Sequence, residues 1–266
     1  MFVKSLAKGM RLLEAFSPQR PSLTMTELAE TTGLNKATVQ RLTHTLLNLE
    51  YLDRDQHKRF HLTPRVLALG QAFSGGSDLR RVAEPLLERF SRRMGCTVNL
   101  SVLDGREVVI IFRHEVERFF KFDLQVGSRL PAYCTSMGKL LLAALPEAQL
   151  NRLLKGMKLE RHTAHTITSL KALREHLKAV RAEGLAQSDR EATLALRSLA
   201  APVLEGEGGV AAAISVSLPA EDGHTPEREV RRGLIELGRE LSSLMGYKGP
   251  YPTLRPPQGR PRQYKD

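Results

Sequence analysis

The sequence predicts an α+β chain in two parts. Residues 23–63 hold two short helical patterns that meet at a glycine and run on into a basic hairpin. From residue 79, helical patterns alternate with hairpins whose turns are signalled by Asp104-Gly105 and by "GEGG" at 206–209. Gly75 and Gly76 lie between the two patterns and mark the boundary. Hairpins with helices around them imply an antiparallel α+β sheet.

The first helix is expected over "SLAKGMRLLEAF", where Leu6, Met10 and Leu13 share one stripe. In the next, Thr24 can cap, Glu27 stands three residues on as its capping-box partner, and Leu28 and Ala29 face inward. Gly33 takes the tight turn and Asn35 caps a further helix, in which Val39, Leu42, Leu46 and Leu49 form a buried stripe. Ala37, Gln40, Arg41 and His44 then point the other way. These types suit the major groove of double-stranded DNA: Arg pairs bidentately with guanine, Gln with adenine, and a small apolar residue meets a thymine methyl. Lys36 and Thr38, near the helix start, are placed to hold phosphates, and Thr24 and Thr26 are counted with them as DNA contacts. "YLDRDQHKRFHLT" reads as a two-stranded hairpin with Arg54, Lys58 and Arg59 near its tip. Residues 1–63 therefore read as a winged helix-turn-helix. "PRVLALGQAFSGG", opened by Pro64, supplies a connecting helix over 64–77.

The larger part spans 78–247. "LRRVAEPLLERFSRRMG" is helical, "TVNLSVLDGREVVIIFRHE" is a hairpin, and "FKFDLQVGS" reads as another strand. Helices follow over "MGKLLLAAL" and "SLKALREHLKAVRAEG", the latter with Leu170, Leu173, Leu177 and Val180 on one stripe. "SLAAPVLEGEGGVAAAISVSLP" is a second hairpin, and "PEREVRRGLIELGRELSSLMG" the last helix. Residues 248–266, rich in proline and basic side chains, read as a disordered tail.

The 266 residues are 41% hydrophobic, enough for a sizeable core, and no apolar run approaches the ~20 residues of a membrane span. A cytoplasmic location is expected. Cys96 and Cys134 are too few for a disulfide framework and have no zinc-ligand spacing. Of the net charge of +11, residues 1–75 carry +4 and residues 248–266 another +4, a distribution that attracts a polyanion. Only 5% of residues are aromatic and no strand offers a stacking platform, which disfavours unpaired RNA.

"LPAYCTSMGKLLLA" places Cys134, Thr135 and Ser136 after a proline turn and directly before an apolar helix. Ser136 to Lys139 match S-x-x-K, but neither S-D-N nor K-T-G occurs, and Cys134 occupies the first glycine position of a nucleophile elbow. A serine or cysteine amidase or esterase using Ser136 or Cys134 is the alternative. The preferred reading is a ligand pocket, because free N–H groups at a helix start bind anions and the hydroxyls of Thr135 and Ser136 add hydrogen bonds to a carboxylate. Ser136 acting only as a helix cap stays open beside it.

A winged helix-turn-helix joined by a helix to an α+β domain with "VGSRLPAYCTSMGKLLLAALP", "SDREATLALRSLAAPV" and "GVAAAISVSLPA" resembles the isocitrate lyase regulator (IclR) family of bacterial transcription factors, over about residues 5 to 246. Within the family, "SLAKGMRLLEAF", "LTPRVLALG" and "RLPAYCTSMGK" are most similar to regulators of protocatechuate, 4-hydroxybenzoate and β-ketoadipate catabolism. The resemblance implies a ligand-responsive DNA-binding regulator that is not an enzyme. Its C-terminal domain would be GAF-like and bind a small organic acid such as an aromatic carboxylate. Operator DNA, a homodimer or homotetramer and RNA polymerase are the implied partners, without cofactor, metal or membrane.

By motif, the implied effector-binding residues are Ser136, Met137, Leu196, Ser198, Ser215 and Ser217, with either Ser188 or Asp189 from the "AQSDRE" loop. Ser215 and Ser217 alternate with Ile214 and Val216, so both hydroxyls leave one face of a strand. Arg129, before the proline turn, is placed to pair with a ligand carboxylate, whereas Arg197 should point to the opposite face and be structural. His162 and His165 in "RHTAH" lack further ligands and make a poor metal site.

Overall fold

The computed structural model describes residues 1–75, 78–115, 124–220 and 227–254. The chain divides into two compact units, 1–77 and 78–266. Among the described residues no helix is long and apolar enough to cross a membrane.

The first unit runs α1 (Lys4–Leu13), β1 (Ser22–Leu23), α2 (Met25–Thr32), α3 (Lys36–Asn48), β2 (Leu52–Arg54), β3 (Phe60–Leu62) and α4 (Arg65–Gly75). Local chemistry sets the bend between α2 and α3. The Thr24 hydroxyl accepts from Glu27 N–H while the Glu27 carboxylate accepts from Thr24 N–H, Gly33 ends α2 in the left-handed region, and Asn35 caps α3 by accepting from Thr38 N–H. Leu12, Leu23, Leu28, Val39, Leu46, Leu52 and Phe60 close one core. The hairpin gains a third strand, in the order β1-β3-β2.

Two stripes differ from expectation. On α1 it is Leu12 that is buried, while Leu6 and Met10 are exposed, because α1 packs on α3 along the side that carries Gly9, which lies against Leu42. On α3, Thr43 joins Val39 and Leu46 in the core and Leu49, at the C-cap, is exposed. Thr43 is tolerated there because its hydroxyl donates to the carbonyl of Val39, four residues back.

The second unit contains α5 (Asp78–Met94), β4 (Thr97–Asp104), β5 (Glu107–His114), β6 (Arg129–Pro131), α6 (Ser136–Ala144), α7 (Glu147–Leu154), α8 (Leu170–Glu183), β7 (Ala186–Asp189), β8 (Leu196–Leu204), β9 (Val210–Pro219) and α9 (Glu227–Leu244). Its six strands lie in the order β6-β5-β4-β9-β8-β7, antiparallel throughout. Val98, Leu100, Leu199, Ile214 and Val216 leave one face and pack with Leu87, Phe90, Leu234 and Leu241 of α5 and α9. Ala200 and Ala213 leave the other and pack with Leu140 of α6 and Leu173 and Leu177 of α8.

Three segments correct the sequence expectations. The strand expected over "FKFDLQVGS" is absent at 124–128, where Gly127 turns with φ +92°, and β6 begins at Arg129; residues 120–123 lie outside the described residues. "AQSDRE", expected as a loop, begins with β7, an edge strand paired to β8. Residues 248–254, counted with the expected tail, are packed on the second unit, since Leu254 is buried and Tyr251 donates to the Pro202 carbonyl at 2.7 Å; residues 255–266 lie outside the described residues.

Candidate functional site

In the first unit, α3 presents Lys36, Ala37, Gln40, Arg41 and His44 to solvent, with Thr38 half-buried beside its cap. The side chains of Lys36, Gln40 and Arg41 make no hydrogen bond or ion pair among the described residues, so their donors are available to an incoming partner. His44 meets Asn48 at 3.3 Å. At the wing, Asp55 Oδ1 accepts the N–H groups of His57 and Arg59 and holds the turn, with Lys58 exposed at its tip and Arg54 over the Phe60 ring.

Arg59 departs from the role expected of it. Its guanidinium donates to the Ser22 hydroxyl and carbonyl at 3.0 and 2.9 Å and to the Glu27 carboxylate at 3.0 Å. It therefore ties the wing to β1 and α2. Thr24 is likewise engaged in the capping box, while Thr26 stands exposed at the start of α2.

In the second unit, strand register assembles polar residues that are far apart in sequence. Ser188, Ser198, Ser217 and Thr97 are successive partners across β7, β8, β9 and β4; the next row holds Ala200, Ser215, Asn99 and Arg113. Both rows leave the face that α6 covers. Ser215 meets the Met137 sulfur at 3.9 Å, Asn99 Nδ2 donates to the Ser215 hydroxyl at 3.5 Å, and Arg113 Nη1 donates to Asn99 Oδ1 at 2.8 Å. Ser215 and Asn99 are buried, whereas Ser198, Ser217 and Thr97 are half-buried toward the rim. Leu196 is two residues from Ser198 on β8 and shares its face.

The start of α6 stands over this floor. Thr135 is its cap: the hydroxyl accepts from Gly138 N–H at 3.2 Å and donates to the Pro131 carbonyl. A side chain at Gly138 would place its Cβ 2.2 Å from the Ala132 carbonyl oxygen, so only glycine lets the helix seat on the preceding turn. Ser136 is not the cap. It is 1% exposed and its hydroxyl has no partner among the described residues. A buried hydroxyl at a helix N-terminus, where the backbone carries partial positive charge, awaits a hydrogen-bonding and preferably anionic group.

The geometry leaves no activated nucleophile. Lys139, which S-x-x-K would set against Ser136, is instead fully buried and ion-paired to Glu191. Burial pushes the Cys134 thiol up to about 12, leaving it protonated near neutral pH. Among the described residues no three His, Cys, Asp or Glu side chains cluster as metal ligands.

Ser188 faces inward, donating to the Cys134 carbonyl at 3.0 Å, while Asp189 pairs with Arg190 at 3.0 Å on the other side of the edge strand. Arg129 is not free for a ligand carboxylate: it is clasped by Glu107 and Asp104 at 2.7 Å each, at the tip of the β4–β5 hairpin. Arg197 pairs with Glu227 of α9, on the opposite face. The arginine on the polar face is Arg113. Neither it nor Asn99 was expected, because each sits in a strand read only as part of a hairpin; the polar residues of "TVNLS" and "IIFRHE" at alternate positions were the available signal.

Comparison with known proteins agrees with this division. The IclR helix-turn-helix domain matches residues 5–56, and the C-terminal domain of bacterial IclR transcriptional regulators matches residues 71–243. The Pca regulon regulatory protein of Pseudomonas putida is 37% identical over 217 residues, covering 81% of this chain and 74% of that protein. The p-hydroxybenzoate hydroxylase transcriptional activator of Acinetobacter baylyi is 36% identical, over 80% of both chains. An IclR homolog from Microbacterium hydrocarbonoxydans, solved in complex with 4-hydroxybenzoate, superimposes with a TM-score of 0.78 at 26% identity, covering 91% of this chain and 98% of that one.

Proposed function

The chain belongs to the IclR family of bacterial transcriptional regulators, DNA-binding proteins and not enzymes, and on that basis we propose that it controls genes of aromatic-acid catabolism in response to a small carboxylic acid, aromatic or aliphatic. The observation that carries the effector half is the buried, unpartnered Ser136 hydroxyl at the start of α6, set over the serine rows of the sheet. The carboxylate or phenol of the effector would take that hydroxyl and the α6 N–H groups, with Met137 and Leu196 against the ring and Ser188, Ser198, Ser215 and Ser217 beneath it. The relatives that regulate pca genes and p-hydroxybenzoate hydroxylase, and the homolog holding 4-hydroxybenzoate, favour protocatechuate, 4-hydroxybenzoate or β-ketoadipate.

Operator DNA would be read by Ala37, Gln40, Arg41 and His44, with Lys36, Thr38, Thr26, Arg54 and Lys58 on phosphates. One α3 reads one half-site, so the regulator acts as a homodimer or a pair of dimers, and effector binding changes how the two recognition helices are spaced. Exposed Leu6 and Met10 on α1 support such self-association. A coupling of about 1–3 kcal/mol between acid and DNA is expected, reciprocal in both directions.

Fluorescence anisotropy tests the whole reading, using DNA from upstream of its own gene against a scrambled duplex, with each of the three acids. Specific binding shifted by one acid supports it. Equal affinity for both duplexes, steeply salt-dependent and indifferent to every acid, overturns it.

A further inference from the structure

Arg113 ends the second polar row, and its surroundings are unusual for a buried arginine. The side chain is 11% exposed. Nη1 donates to Asn99 Oδ1 and Nη2 to the carboxylate of Glu115, two residues on, while Nε is buried without a partner among the described residues. The Nε–Nη2 edge is the one a carboxylate spans with two parallel hydrogen bonds. Glu115 engages only one nitrogen of that edge, and at 26% exposure its carboxylate is the more accessible of the pair. The guanidinium is thus neutralised but not saturated.

Asn99 orients this group toward the pocket. Its amide oxygen holds Nη1 and its nitrogen reaches Ser215, which touches Met137 in the first turn of α6. Arg113 is therefore two side chains away from the helix start that carries the unpartnered Ser136.

We propose that Arg113 reads the negative charge of the effector, whose carboxylate spans Nε and Nη2, and that Glu115 is the resident counter-ion that this carboxylate displaces. The inference rests on the effector pocket described above and names the residue that sets its charge specificity. Glu115 keeps a mostly buried guanidinium from standing unpaired, which would be unfavourable. A neutral analogue cannot displace it, whereas an acid exchanges one carboxylate for another with better geometry and frees Glu115 toward water. Charge is then recognised by exchange.

The test is isothermal titration of the full-length protein with 4-hydroxybenzoate and with the neutral isostere 4-hydroxybenzamide. Wild type should prefer the acid. R113Q should lose about tenfold or more of its acid affinity while its amide affinity stays within about twofold, and R113K, which keeps the charge but not the fork, should fall between. E115Q should tighten the acid several-fold and leave the amide unchanged. An acid-to-amide ratio that R113Q leaves at the wild-type value, with circular dichroism and Tm intact, overturns the proposal. If R113Q does not fold, E115Q decides: acid binding unchanged or weaker overturns it. Failure of the pocket reading looks different, since wild type would then bind neither compound, nor protocatechuate, nor adipate.

Discussion

The two units place their polar side chains in opposite ways. On α3, Lys36, Gln40 and Arg41 stand in solvent with their donors unused, while on the C-terminal sheet buried Asn99 and Ser215 and half-buried Arg113 are bonded in a chain. On the function proposed above, the difference follows from the partner each surface would meet. A duplex is large, hydrated and charged, so side chains that reach it lose little by waiting in water. A small acid must be taken out of water, and the groups that receive it must be held beforehand inside the core, where each unsatisfied atom is costly. Substitutions on the exposed face of α3 should therefore alter binding with little change in stability, and substitutions at the buried pair Lys139 and Glu191 should do the reverse.

The largest expected effect lies at Lys139 and Glu191, the most deeply buried ion pair described, whose Glu191 Oε2 has no further partner among the described residues. Burial pulls the Lys139 pKa down, and the Glu191 charge only partly opposes it. K139M or E191Q should each cost about 3–5 kcal/mol in urea unfolding by stranding the other charge, and K139M/E191L should recover most of that. A single variant that loses under about 1 kcal/mol would place the pair in water and break the contrast drawn above.

Arg41 and Arg59 sharpen the contrast inside one unit. R41A should cost about 1–3 kcal/mol of specific DNA binding and relax preference at one base position, with Tm unchanged. R59A should instead lower the Tm of the N-terminal unit, because it frees the wing from Ser22 and Glu27, and it should leave the ratio of specific to nonspecific affinity near wild type. Anisotropy on operator and scrambled duplexes, with thermal melts beside it, separates the two.

These arginines also show what could be seen in the sequence. The helix-turn-helix is set by neighbours within a few positions: the Thr24–Glu27 box, the turn at Gly33 and the cap at Asn35 all form where the residue types predict. The exposed face of α3 follows from its period. The partners of Arg59 lie 37 and 32 positions away, so its tie to β1 and α2 could not be read from local spacing. Along the pocket the same limit applies more widely. Alternation placed Ser215 and Ser217 on one face, but no spacing brings Arg113 beside Asn99, or separates Ser188 from Asp189, until the register of β5 on β4 and of β7 on β8 is known.

Adjacent hydroxyls offer a smaller test. T135A should cost about 1 kcal/mol of stability, because the Gly138 N–H loses its cap. S136A should be neutral or slightly stabilising, since it removes a buried hydroxyl that nothing pairs, yet weaken acid binding. Equal stability losses would return Ser136 to a structural role.

The smallest effect concerns pH. His176 on α8 has its ring Nε2 buried without a partner, and burial, with the Lys139 charge added to it, holds its pKa below the ordinary histidine value. The folded chain then binds fewer protons at this site than the unfolded chain between the lowered folded value and about 6.5, so stability falls as pH drops through that window. One proton limits the slope to about 1.4 kcal/mol per pH unit. In the first unit the shifted groups are carboxylates. Glu27 is lowered chiefly by its backbone hydrogen bond to Thr24, so its contribution is intact above the usual carboxylate range and fades only as pH falls through its own lower value. H176Q should therefore flatten the stability profile between pH 5 and 6.5 and leave the steeper loss below pH 4 in place, read from urea midpoints across that range. If H176Q leaves the slope between pH 5 and 6.5 unchanged, the imidazole binds protons in the fold as it does in the unfolded chain, and the Lys139 charge beside it must then be compensated more fully than Glu191 alone provides.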